Sequence, residues 1–170
     1  TLWNLGRSKQ IKPSSLVAKI MIYSDLLLNK IIYNKLLSFY KTNKYPNAFI
    51  FYGNDGVGKE AHAIEFFALI NCIDKIEHNS CGECHSCIKV KKLQHENLEI
   101  IMPYPKSKSL SKNDHPLKAL TNKQQESLEK KLIKKGNNPY YNLKFNSANT
   151  ILINSIRELK KNINLSITDE

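Results

Sequence analysis

The chain is 170 residues long, about one domain, and carries 26 Lys and Arg against 15 Asp and Glu, a formal charge of +11. It has no run of about 18 apolar residues, so it does not read as a helical membrane protein. The charge suits nucleic-acid phosphates, which bind cations with release of counterions, but a chain this rich in Lys, Asn and Ile also fits an AT-rich genome, which leaves a solvated basic surface as the alternative.

Residues 1–20 are weakly patterned and broken by Pro13-Ser14-Ser15. They hold Arg7, Lys9, Lys12 and Lys19 without a continuous apolar core, and so read as an N-terminal extension rather than a secretory signal. Met21 is a natural start. The chain opens on Thr1 and stops just after a helical pattern, so it reads as the N-terminal part of a longer protein. Residues 24–41 place Leu27, Ile31, Leu36, Leu37 and Tyr40 near helical spacing, which predicts a helix ended by Tyr45-Pro46-Asn47. The apolar run 48–52 then predicts a strand buried on both faces, and residues 59–71 predict a helix. Strand, glycine-rich loop and helix in that order predict an α/β fold with a parallel sheet and flanking helices.

The loop itself is Gly53-Asn54-Asp55-Gly56-Val57-Gly58-Lys59-Glu60. Its glycines (Gly53, Gly56 and Gly58) would let backbone N–H groups face phosphate oxygens, the following helix would add its positive end, and Lys59 would reach the β- and γ-phosphates. The pattern then asks for a Ser or Thr hydroxyl to hold magnesium, and Glu60 stands there instead. A carboxylate beside phosphates predicts weak ATP binding or none, and no efficient hydrolysis. The alternative is a strand–turn–helix that keeps its glycines for geometry alone.

Cys72, Cys81, Cys84 and Cys87 follow as C-x8-C-x2-C-x2-C, and they are the only cysteines in the chain. Without an export signal they point to reduced thiols in a cytoplasmic setting, and so to metal rather than disulfides. Four thiolates satisfy a tetrahedral structural zinc ion with no open position. An iron–sulfur cluster, a redox pair and unligated core cysteines are the rival readings. His78 and His85 are neighbouring donors that a full thiolate shell does not need.

Residues 86–94 predict a short helix, and 98–102 a second strand stopped by Pro103. An exposed Lys-, Ser- and Pro-rich loop follows over 104–121, then an amphipathic helix over 122–135. Gly136-Asn137-Asn138-Pro139 ends that helix, 141–145 suggests a brief strand, and 153–163 a final helix. Arg157 lies on this last helix beside Glu158, where a solvated charge competes with a partner contact.

A glycine loop of this kind followed one helix later by C-x8-C-x2-C-x2-C resembles the bacterial DNA polymerase III clamp loader, in its gamma/tau and delta-prime subunits. The resemblance covers about residues 21–166. Glu60, the stretch Leu93-Gln94-His95-Glu96-Asn97-Leu98-Glu99, and the segments 138–141 and 153–159 resemble delta-prime more than gamma/tau. Glu96 stands where that family usually has proline. The resemblance implies a partial AAA+-like P-loop domain over 21–170, with a zinc module at 72–87 and an inserted basic segment at 104–138. It further implies a stator that need not hydrolyse ATP, and no catalytic residue is assigned. The implied partners are the other clamp-loader subunits, the sliding clamp and, through the assembled complex, primed DNA. An ATP-hydrolysing gamma/tau-type subunit and an unrelated zinc-stabilised nucleic-acid-binding module are the other two readings.

Overall fold

The computed structural model describes residues 21–167, with side chains up to residue 163; the expected extension at 1–20 lies outside them. Among the described residues the chain forms five α-helices and one 3-10 turn. In order these are α1 Lys30–Thr42, α2 Lys59–Asn71, α3 His85–Lys91, the turn Pro116–Ala119, α4 Asn122–Asn137 and α5 Ile153–Ile167. None of these helices is long and apolar enough to cross a membrane.

Local chemistry sets the helix ends. The Asn29 side chain accepts from the N–H groups of Ile31 and Ile32 at 3.1 and 3.2 Å, so α1 starts at Lys30 and not at 24 as the spacing predicts. The residues before it turn inward instead and bury Ile22, Tyr23 and Leu26. α2 spans the predicted 59–71. α4 opens on a capping box in which Thr121 and Gln124 satisfy each other's backbone, and it runs two residues past the predicted end.

The expected α/β fold with a parallel sheet is overturned. No strand occurs among the described residues, where the only bridge is an isolated antiparallel one between Ile76 and Asn79. The runs 48–52, 98–102 and 141–145 are non-helical but pair with no neighbour. A strand exists only through its partner, and an apolar run does not say whether a partner is present. Without a partner strand the 48–52 run is covered only in part. Phe49 packs edge-on to Phe39 and Phe66, at 5.5 and 5.6 Å between ring centres. Ile50 and Tyr52 stay 88% and 90% exposed.

Three apolar clusters hold the helices together. The first gathers Ile22, Tyr23 and Leu26 with Ala61 and Ala68 of α2, Cys72, and Cys87 and Val90 of α3. The second joins α1 to α2 through Leu36, Phe66 and Leu69. The third, in the later half, packs Met102, Leu120, Leu128 and Phe145. Gly136 brings α4 against the end of α3, where any Cβ would collide with the Lys91 carbonyl. This frame leaves the glycine loop at the start of α2 and the cysteines at its far end.

Candidate metal centre and phosphate loop

At the C-terminal end of α2 the four cysteines converge. Cys72 caps α2, Cys84 caps α3, Cys87 lies in the first turn of α3, and Cys81 sits in the turn between. Their sulfurs all lie within 4.8 Å of one another, with Cys72 to Cys84 and Cys81 to Cys87 each at 3.9 Å. These are free thiols, not disulfides. Tetrahedral edges of 3.9 to 4.8 Å put a centre roughly 2.4 to 2.9 Å from each sulfur, at or somewhat beyond the ~2.3 Å of a metal–thiolate bond. That space suits one ion, and the donor set fits a single tetrahedral metal.

Backbone N–H groups orient the sulfurs. Cys81 donates to the Cys72 sulfur at 3.2 Å, Cys84 to that of Cys81 at 3.2 Å, and Cys87 to that of Cys84 at 3.5 Å. Burial pushes the Cys72 and Cys87 thiols up. Burial also opposes ionisation of Cys84, but N–H groups from Cys87 and Ile73 outweigh it and bring that thiol down to about 6. An apolar cradle surrounds the sulfurs, since Cys72 and Cys87 belong to the first core cluster and Cys81 and Cys84 pack against it. His78 and His85 are exposed and stand outside the four-sulfur group.

At the N-terminal end of α2 the loop turns upon itself. Gly56 and Gly58 take left-handed conformations with φ of 78° and 75°, and a Cβ on Gly58 would press on Leu26 and Tyr140 at 3.0 and 3.1 Å. Lys59 folds back to donate to the carbonyls of Gly53 and Asn54 at 3.3 and 3.2 Å, with Asp55 at 3.5 Å. Glu60, in the place of the magnesium-binding hydroxyl, pairs with Lys135 of α4 at 2.7 Å. Lys135 is 3% exposed, and its ammonium also donates to the carbonyls of Pro139 and Tyr141 at 3.1 and 2.9 Å. Tyr140 completes the cover by accepting from the Leu27 N–H at 2.8 Å. The cavity left over the loop is about 170 Å³, smaller than the roughly 300–1,000 Å³ usual for small-molecule sites.

Two buried polar side chains on α2 escaped the sequence reading. Glu65 accepts from the Tyr23 N–H at 2.6 Å and the Ser80 hydroxyl at 3.3 Å, tying the segment before α1 to the residues leading into the knuckle. Burial raises its carboxyl from the ordinary 4.5 to about 7, against those hydrogen bonds. His62 accepts from the Asn29 N–H at 3.0 Å, so its other ring nitrogen carries the proton it donates to the Gly58 carbonyl at 2.8 Å. The signal for both was polar residues interleaved with Ala61, Phe66, Ala68 and Leu69 on the covered side of α2.

The family described as "DNA polymerase III, delta subunit" matches residues 28–169. A stretch of 65 residues is 32% identical to the DNA polymerase III subunit tau/gamma of Haemophilus influenzae, which is 38% of this chain and 9% of that protein. Another comparison gives 30% identity over 67 residues with Protein STICHEL of Arabidopsis thaliana, 39% of this chain and 6% of that protein. The chain spans less than a tenth of the length of these curated relatives. No solved structure matches.

Proposed function

The chain belongs to the DNA polymerase III delta-subunit family over residues 28–169, and on that premise we propose that it acts in DNA replication as a delta-prime-type, non-hydrolysing subunit of the clamp loader. The observation that carries the choice is the Glu60–Lys135 pair at 2.7 Å. Where a motor needs a hydroxyl to hold magnesium, this chain has an anion whose counter-cation comes from its own α4. Lys59 is engaged with loop carbonyls as well, and the cavity above is small. A stator asks only for a firm surface, and the loop serves here as a packed turn joined to α4.

In this reading the four thiolates hold a structural zinc ion. Two of the sulfur separations, at 3.9 Å, support it, because a zinc tetrahedron with bonds of ~2.3 Å has edges of about 3.8 Å. The ion would pin the end of α2 to the start of α3. Zinc adds no open coordination position and no chemistry of its own here. The partners are the other clamp-loader subunits, the sliding clamp and, through the complex, primed DNA, in the cytoplasm.

The match to a tau/gamma subunit favours an ATP-hydrolysing motor as the second reading. Titration of a fluorescent ATP analogue with and without magnesium separates the two. The stator reading expects no magnesium-dependent binding; tight magnesium-dependent binding would move the assignment to the motor.

A further inference from the structure

A cleft in the later half of the chain is lined by none of the residues of either end of α2. It has a volume of about 670 Å³ and is walled by the stretch 104–112, the loop 147–152 and the first turns of α5. Lys106, Lys112 and Arg157 line it, and no carboxylate does. All three cations are exposed, and none has an ion-pair partner among the described residues.

The cations sit on a built frame. Asp114, the acid nearest Lys112 in sequence, is already engaged. Its carboxylate accepts from the Ser111 N–H, the Ser111 hydroxyl and the Lys118 ammonium, each at 2.8 Å. It therefore shapes the loop that carries Lys112 without pairing with that lysine. Asn154, 6% exposed in the first turn of α5, donates to the carbonyls of Ser111 and Asp114 at 2.9 and 2.7 Å. These bonds fasten the Lys112 loop to the helix bearing Arg157. No acid occupies the first turn of that 15-residue helix, so its positive end adds to the same field. Beside the charges, Ile151 and Ile153 stay 45% and 59% exposed.

We infer that this cleft binds single-stranded nucleic acid, with Lys106, Lys112 and Arg157 on the phosphodiester backbone. A strand supplies both chemistries that the cleft displays: phosphates for unpaired cations, and unstacked base faces for an apolar rim. A duplex keeps its bases stacked and offers little to Ile151 and Ile153. The inference goes beyond the clamp-loader reading and does not need it.

The test is fluorescence anisotropy of a labelled oligodeoxythymidine titrated with the chain across a salt series. The Lys106→Gln, Lys112→Gln, Arg157→Gln triple variant should bind about tenfold more weakly. Its slope of log affinity against log salt should shrink by about 2, from three phosphate contacts at ~0.7 each. A charge-preserving variant, Lys106→Arg, Lys112→Arg, Arg157→Lys, should stay within about twofold of the unaltered chain, which separates lost charge from lost fold. The comparison variant Lys35→Gln, Lys41→Gln, Lys44→Gln removes the same charge near α1 and should lose far less. Equal losses in the two neutralised variants would overturn the inference, because diffuse charge would then carry the binding. So would no binding by the unaltered chain. Displacement of the strand by polyglutamate at equal charge would overturn it too, and mark the cleft as a site for acidic protein.

Discussion

The two ends of α2 hold the two motifs that stand out in the sequence, and they are built in opposite ways. At the C-terminal end, four donors from separate turns converge within 4.8 Å, two of them buried in the core. At the N-terminal end, the loop's charges are already answered: Lys59 by carbonyls of its own loop, Glu60 by Lys135. Donors that converge without a shared partner call for an ion from outside. Charges that the chain satisfies itself call for none. A motif's chemistry depends on what its side chains face, and in the proposed reading two equally legible patterns on one helix reach different outcomes.

The largest effect belongs to the cysteine end of α2. Replacement Cys84→Ser should release the ion and cost several kcal/mol, because metal binding is folding free energy for the segment it closes. Hydrogen exchange should then show residues 72–92 losing protection while the later cluster of Met102, Leu120, Leu128 and Phe145 keeps its own.

Glu65 lies between the two ends and sharpens the contrast through pH. Its carboxyl is raised from 4.5 to about 7 in the folded chain, so the native state holds the proton more tightly than the unfolded one. Its contribution is fully present below about 4.5 and is lost as pH rises through about 7. A shift of this size is worth about 3 kcal/mol. Denaturation midpoints taken at pH 5 and pH 8 should fall for the unaltered chain relative to Glu65→Gln, whose side chain does not titrate.

Gly136→Ala tests whether α4 is held against α3 closely enough to deliver Lys135 to Glu60. The added Cβ meets the Lys91 carbonyl, a backbone atom with little room to yield. A loss of about 2 kcal/mol in chemical denaturation is expected, typical of overpacking. The smallest effect belongs to Glu60→Gln. Lys135 keeps its two carbonyl acceptors and Glu60 is half exposed, so the loss should be only about 1 kcal/mol, read as a lowered Tm.

The parts legible in the sequence are the local ones. Helical content over 59–71 and 122–135 follows from the residues themselves, and the cysteine spacing brings three thiols into one knuckle without long-range help. The sheet is not legible because 48–52, 98–102 and 141–145 are apolar enough for strands, while pairing depends on residues that a run does not contain. Lys135 reaches Glu60 across 75 positions of chain, and no spacing rule spans that distance. Arg157 reads in sequence as a solvated charge beside Glu158; only the folding of the 104–112 stretch onto α5 puts it in one cleft with Lys106 and Lys112.

In the proposed reading the far end of α2 is closed by an ion and the near end by the chain itself. Elemental mass spectrometry of the purified chain tests the first half most directly, with Cys84→Ser measured beside it. One zinc per chain, absent from Cys84→Ser, is the expected result. No metal, or unchanged zinc in the variant, would contradict the four-thiolate centre, and iron in place of zinc would keep that centre but overturn the zinc assignment.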